Sequence, residues 1–105
     1  MNPILIMSNV PDLGLAKQIA DALIDARAAA CVNILASCES VYRWQGDIET
    51  ATEIPLLIKT TDSAYPRLER ILREYHPYAV PEIIAIPITH GLPAYLAWVT
   101  TETEA

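Results

Sequence analysis

Glycine and cysteine are scarce in this chain, and basic residues are outnumbered by acidic ones. Its 105 residues include three glycines and two cysteines, and seven Lys and Arg stand against thirteen Asp and Glu. Three scattered glycines cannot form a glycine-rich phosphate loop. The formal net charge is −6, and no basic footprint of any size is present, so the composition argues against nucleic acid and anionic membranes as partners.

Long hydrophobic runs are also missing from the sequence. No apolar stretch approaches the roughly 18 residues that span a bilayer, so we expect no membrane segment. Residues 1–11 contain no basic region followed by a long apolar run, and they do not resemble a signal peptide. The cytoplasm is therefore the expected location.

The two cysteines, Cys31 and Cys38, are seven residues apart in what the pattern predicts to be one strand. In a straight strand they would lie roughly 23 Å apart and on opposite faces. A disulfide requires Cα atoms within about 7 Å of each other. We therefore expect two buried free thiols rather than a bond between them.

Hydrophobic residues, by contrast, are abundant. They make up 52% of the chain, and the mean hydropathy is +0.25. The length fits one domain, residues 1–105. Because a small monomer has a limited interior, the surplus of apolar side chains must face water or another subunit, and large exposed apolar patches usually mark interfaces. The composition thus predicts a homo-oligomer.

Hydrophobic spacing predicts an α+β domain of alternating strands and amphipathic helices. The predicted strands are residues 4–7, 31–44, 48–60 and 83–88; one helix follows an Asp12 cap, a second ends at His76, and a short third begins near Pro93. This order is the ferredoxin-like split βαβ sandwich with a C-terminal helix. The hairpin between the second and third strands is longer than usual, since strands average about 5–6 residues. Its excess length favours pairing with another subunit.

The segment 76–83, with the sequence HPYAVPEI, concentrates polar side chains between two prolines. A residue that precedes proline is pushed out of the helical region, so His76 and Val80 should both be extended. The segment is therefore predicted to be a stiff loop that ends one helix. Loops of this kind carry function more often than the elements they join.

His76 and Glu82 are the candidate metal ligands of this loop. Imidazole suits copper and zinc, although one histidine alone rarely makes a site, and the alternative is a hydrogen-bonded or solvated helix-ending residue. Glu82 is either a ligand or general base, or a charge that accepts from backbone N–H groups. Tyr42 and Trp44 either line a pocket or pack against a neighbouring element or subunit. Lys59 either meets an anionic ligand or is solvated.

Other activities hosted by this fold find no matching residues. The loop after the first strand, residues 7–12, has no CxxC pair for a metallochaperone and no arginine for an acyl phosphate hydrolase. The first strand lacks the aromatic residues on which RNA bases stack. No nucleophile has an assignable base, so we expect no enzymatic activity.

A series of short motifs occurs in an order and at spacings that together are specific. They are VPD at 10–12, AACVNI at 29–34, SVYRWQGDI at 40–48, Glu53, Lys59 with Thr60, HPY at 76–78, PEI at 81–83, and Gly91 with YLAW at 95–98. The series covers nearly the whole chain and resembles the divalent-cation tolerance proteins called CutA.

The resemblance implies a compact homotrimer whose long hairpins extend sheets between subunits. It also implies ligand sites in clefts between subunits and a role in tolerance to copper (Cu²⁺) and other divalent metals. By position, six residues would lie near these clefts: Tyr42, Trp44, Lys59, His76, Tyr78 and Glu82. Trimers of this architecture also resemble the PII signalling proteins, which implies the alternative of a small ligand in the cleft and an unidentified protein partner.

Three positions depart from the family pattern. Some members have cysteine where this chain has Ser8 and histidine where it has Tyr75. A hydroxyl is a poor copper ligand beside a thiolate, so metal binding here is expected to be weak or differently built. Members also commonly have proline at the position of Ala36, and its absence is expected to loosen a kink or bulge in the long strand.

Overall fold

The computed structural model describes residues 2–105 and contains five strands and three helices in that range. In chain order they are β1 (Pro3–Val10), α1 (Leu13–Asp25), β2 (Cys31–Ile34), β3 (Cys38–Trp44), β4 (Asp47–Thr61), α2 (Tyr65–Tyr75), β5 (Ile84–Pro87) and α3 (Pro93–Glu102). None of these helices is long and apolar enough to cross a bilayer.

The sheet is built around β4. The strand order is β2-β4-β1-β5, all neighbouring pairs are antiparallel, and β3 pairs with the other half of β4. β4 thus lies between β1 and β2, the two strands that α1 connects, which is the arrangement of a split βαβ unit. The predicted α+β class is confirmed.

One face of the sheet packs against α1 and α2 to form the core. Residues of β1 alternate strictly between half-buried and buried, as expected for a strand with one face on the core. Asp12 caps α1 as predicted, because its Oδ1 accepts the Leu15 N–H at 2.8 Å. The largest fully buried side chains come from both layers: Ile6, Ile19, Leu23, Leu56, Ile58, Leu68 and Leu72.

The predicted strand 31–44 is interrupted, and this corrects the sequence analysis. Ile34 is opposite Leu56, and Cys38 is opposite Glu53. Three residues (35–37) therefore face two residues (54–55), which makes a β-bulge with one extra residue in the strand that contains β2 and β3. The long hairpin of the prediction is β3 with the first half of β4.

The bulge also corrects the expected placement of the cysteines. Cys31 is opposite Lys59, and Cys38 is opposite Glu53. Lys59 and Glu53 are six residues apart on β4, an even number, so both cysteines lie on the same face of the sheet. At about 20 Å along the strand they remain too far apart to pair. Both thiols are free and half-buried rather than buried.

Candidate functional site

The loop 76–83 leaves α2 and passes beside the end of β1 before entering β5. α2 ends at Tyr75 because His76 precedes Pro77 and adopts an extended conformation, with φ −77° and ψ 128°. The predicted helix end is confirmed. The loop then runs between β1 and the β3–β4 hairpin.

His76 is buried, with 7% of its surface exposed, and both of its ring nitrogens are engaged. Nε2 lies 2.7 Å from the backbone carbonyl oxygen of Asn9, so it must carry the proton and donate it. Nδ1 accepts the Tyr78 backbone N–H at 3.3 Å. The ring also lies against the Tyr78 ring, with centroids 4.6 Å apart. These contacts fix the tautomer in which Nδ1 holds the lone pair.

Glu82 is attached to the same end of β1. Its Oε1 accepts a hydrogen bond from the Asn9 side-chain amide at 3.2 Å. Its backbone carbonyl accepts the hydroxyl of Ser8, which is buried, at 2.7 Å. Asn9 therefore contacts both predicted metal ligands, His76 through its carbonyl and Glu82 through its side chain. Ser8 and Asn9 together hold the two ends of the loop.

A cavity of about 600 Å³ opens between this loop and the β3–β4 hairpin. Ser40, Tyr42 and Trp44 lie on one face of β3 because side chains alternate along a strand. Glu53 shares that face, since it is opposite Cys38. The lining residues are Asn9, Ser40, Val41, Tyr42, Trp44, Glu53, Tyr78, Ala79, Val80 and Glu82.

The extra residue of the bulge determines which side chains reach this cavity. On β2 the odd-numbered residues share the face of Lys59, whereas on β3 the even-numbered residues share the face of Glu53. Lys59 and Glu53 occupy the same face of β4. If the same residues paired with β4 without a bulge, Ser37 rather than Cys38 would lie opposite Glu53, and Tyr42 and Trp44 would point to the opposite side of the hairpin.

Glu53 is the most buried side chain of the cavity, with 6% of its surface exposed. Its Oε2 accepts the Tyr78 hydroxyl at 3.0 Å. Burial and this contact with the Glu53 carboxylate together raise the pKa of Tyr78 to about 12, because both disfavour a second negative charge beside the first. Tyr78 is therefore a neutral hydrogen-bond donor at physiological pH.

The structure brings together four of the six residues predicted from sequence. Tyr42, Trp44, Tyr78 and Glu82 all line the cavity. His76 does not line the cavity, but its ring contacts the ring of Tyr78.

Lys59 lies elsewhere. It pairs with Leu5 and Cys31 in the sheet, and its Nζ donates to the Asn33 side chain. It does not line the cavity.

Sequence reasoning assigned no role to Glu53 or Asn9. Glu53 stands immediately before the apolar run 54–58, and a charge at the edge of such a run is a signal of a buried polar group. Asn9 carries no comparable signal, because its importance arises from where β1 ends beside the loop.

No group of three or more His, Cys, Asp or Glu side chains that could hold a metal ion occurs within residues 2–105. His76 and Glu82, the predicted metal ligands, are joined through Asn9 but form no such group. Further ligands would have to come from water or from a second copy of the chain.

A family model described as "CutA1 divalent ion tolerance protein" matches residues 4–102. The chain belongs to the CutA1 family. The resemblance expected from the sequence motifs is confirmed.

Curated relatives of this CutA1-family chain include a bacterial and a mammalian protein. The divalent-cation tolerance protein CutA of Thermus thermophilus is 44% identical over 99 residues, covering 94% of this chain and 96% of the relative. The protein CutA of Mus musculus is 44% identical over 95 residues, covering 90% of this chain and 54% of its own length. The chain thus spans about half the length of the mouse protein.

Solved CutA structures have the same fold. The Thermus thermophilus structure superposes with a TM-score of 0.95 at 43% identity, covering 97% of this chain and 99% of that one. The structure of CutA from Xylella fastidiosa gives a TM-score of 0.95 at 45% identity, covering 99% of this chain and 100% of that one. The PII-like signalling alternative finds no support in these matches.

Proposed function

We propose that this chain acts in divalent-cation tolerance by binding a divalent metal, Cu²⁺ in particular, through His76 and Glu82. The Thermus thermophilus relative bears divalent-cation tolerance in its name, which supports the general role. The specific proposal is carried by two hydrogen bonds of Asn9, one to the His76 ring and one to the Glu82 carboxylate. Because both side chains contact Asn9, they lie near the same end of β1, which supports a shared site.

The hydrogen bonds of His76 suit a metal ligand. Histidines that bind metals donate their other ring N–H to a carboxylate or a backbone carbonyl, which fixes the tautomer. His76 donates Nε2–H to the Asn9 carbonyl at 2.7 Å. Its Nδ1 accepts from Tyr78 at 3.3 Å, a long hydrogen bond whose loss costs about 0.5–1.5 kcal/mol. An imidazole nitrogen and a carboxylate oxygen are both acceptable ligands of Cu²⁺.

We further propose that the working unit is a homotrimer. Support comes from large apolar side chains that this chain leaves in water on the hairpin and on the edge strand β5, including Ile48, Ile84 and Ile86. A trimer would cover such residues and would bring a second chain close to an incomplete metal site. A further protein partner would then bind the assembled trimer.

The trimer is proposed to be cytoplasmic and to catalyse no reaction. Support for the first comes from two free cysteines, since reducing compartments keep thiols reduced. Support for the second comes from the buried His76, whose two ring nitrogens are both engaged by backbone groups, those of Asn9 and Tyr78. An activated nucleophile would need a neighbouring base with a free ring nitrogen.

Calorimetric titration of Cu²⁺ into the metal-free protein tests the metal site. We expect His76→Gln and Glu82→Gln each to weaken binding about tenfold or more, which corresponds to about 1.4 kcal/mol. His90→Gln is the matched control, because His90 is the other histidine of the chain and its side chain is exposed. Copper affinity that is unchanged in both site variants would refute the proposal.

A further inference from the structure

The charged side chains that line the cavity between the loop and the β3–β4 hairpin are all acidic. Glu53 and Glu82 line it, and no lysine or arginine does so. Ion pairs within residues 2–105 join Arg27 to Glu102 and Arg70 to Glu74, and neither reaches the cavity. The acidic net charge of −6 adds to the same field. A ligand that enters here meets a negative potential.

Glu53 is the least usual member of the cavity lining. A carboxylate that is 94% buried is costly to keep ionised unless a cation or several hydrogen bonds compensate for the lost water. Within the described chain, its hydrogen bond comes from the neutral Tyr78 hydroxyl, and no cationic side chain pairs with it. The carboxylate is therefore available to a positive charge supplied from outside.

Three aromatic rings share the cavity with this carboxylate. Tyr42 and Trp44 come from alternate positions of β3, and Tyr78 comes from the loop opposite. The faces of such rings attract cations, tryptophan most strongly, and cages of this kind recognise alkylated ammonium groups. A bare metal ion would instead need several oxygen or nitrogen ligands, which aromatic walls do not supply.

We propose that this cavity binds a small organic cation with an alkylated ammonium head, held between Glu53 and the rings of Tyr42, Trp44 and Tyr78. The volume of about 600 Å³ lies inside the range of about 300–1,000 Å³ typical of small-molecule sites. It leaves room for a body larger than the head group itself. The proposal does not depend on metal binding, because it uses Glu53 and the rings rather than His76.

Tryptophan fluorescence tests the proposal directly. The chain has two tryptophans, so Trp98→Phe leaves Trp44 as the reporter inside the cavity. Tetramethylammonium should change the Trp44 emission in a saturable manner, and the neutral, similarly shaped tert-butanol should not. A change that does not saturate, or an equal response to tert-butanol, overturns the proposal.

Two variants locate the cation. Glu53→Gln keeps an oxygen that can accept the Tyr78 hydroxyl but removes the charge, and should weaken tetramethylammonium binding about tenfold. Trp44→Leu, at an exposed position of the hairpin, should weaken it about fivefold when measured by calorimetry. Glu39→Gln is the control, because Glu39 is one residue out of phase with Ser40 and lies on the other face of β3.

The outcomes separate this site from the metal site. Glu82→Gln and His76→Gln should reduce copper binding, whereas Trp44→Leu should reduce ammonium binding and leave copper binding intact. Circular dichroism establishes that each variant is folded before it is titrated. Ammonium affinity that is unchanged in both Glu53→Gln and Trp44→Leu would overturn the assignment of the cavity, whatever the copper titration gives.

Discussion

The Tyr78 hydroxyl connects the loop 76–83 to a carboxylate on β4. Glu53 is buried and accepts the hydroxyl at 3.0 Å. A hydrogen bond to a charged acceptor contributes more than one between neutral groups, and a buried acceptor left without its donor bears the desolvation penalty. At the scale of the residue, this contact should therefore stabilise the folded chain measurably.

Tyr78→Phe should lower the free energy of unfolding by about 1–3 kcal/mol, because the ring is kept and the donor to Glu53 is lost. Denaturant unfolding of each variant provides the measurement. Tyr75→Phe is the matched control, since its hydroxyl has no hydrogen bond within residues 2–105 and its side chain is exposed. Equal stability of the two variants would contradict the importance of the contact.

The same tyrosine should give the protein a dependence on alkaline pH. Its pKa is raised from 10.0 to about 12, so the fold favours the neutral phenol. The resulting stabilisation is complete below pH 10 and is lost as the pH rises towards 12. Ultraviolet titration of tyrosinate should show a late step that Tyr78→Phe removes, and a profile that keeps this step in the variant would contradict the assignment.

At the scale of single residues, the sequence predicted side chains whose role follows from local chemistry. The rigid loop around Pro77 and Pro81 drew attention to Tyr78 and Glu82, and both line the cavity. The family pattern predicts Lys59 near the same cleft, yet the register of β4 places it beside Cys31 and Leu5. Register depends on partner strands, which a local pattern does not contain.

Among the elements, the bulge at residues 35–37 has the largest effect on the cavity. One extra residue changes which alternate side chains of β3 share the face of Glu53. The sequence predicts an extended segment with aromatic residues over 31–44, but the alternation of side chains in the sequence does not reveal the interruption. The difference of one residue appears when the strand is aligned with β4.

Deletion of Ala36 should leave the aromatic wall of the cavity in place. With two residues facing two, Cys38 would stay opposite Glu53, and Tyr42 and Trp44 would keep the face of Glu53. In a Trp98→Phe background, we expect tetramethylammonium affinity to change by less than about twofold. Ala36→Gly keeps the chain length and serves as the control. A loss of more than about tenfold in the deletion variant alone would contradict this account of the bulge.

The whole molecule is elongated, with extents of 44 × 26 × 23 Å, and its hairpin is exposed along most of its length. Ile48 is 68% exposed and Val41 is exposed to the same extent. Part of the predicted surplus of apolar residues over interior space is thus located on the hairpin and the loop, and part on β5 and α3. The composition predicts that apolar residues exceed the interior space, but only the fold shows which of them are exposed.

Sedimentation equilibrium should give a mass three times the 11.6 kDa of the chain. Ile48→Lys should shift this towards the monomer, because burying an isoleucine contributes about 1.5–3 kcal/mol and a buried lysine opposes assembly. The melting temperature should also rise with protein concentration in the wild type. Gln18→Lys, on the exposed face of α1, adds the same charge and should change neither result. A wild-type monomer at micromolar concentration would contradict the trimer.

The central position of β4 also affects how the chain is made. β1 pairs with β4 over its whole length, from Pro3 opposite Thr61 to Val10 opposite Ile54, and its other neighbour is β5. During synthesis, the first apolar strand therefore has no partner until residue 61 has left the ribosome. Unpaired strands of this kind are prone to aggregation and are protected by chaperones. The nascent chain, more than the finished protein, is the form of this molecule that needs such protection.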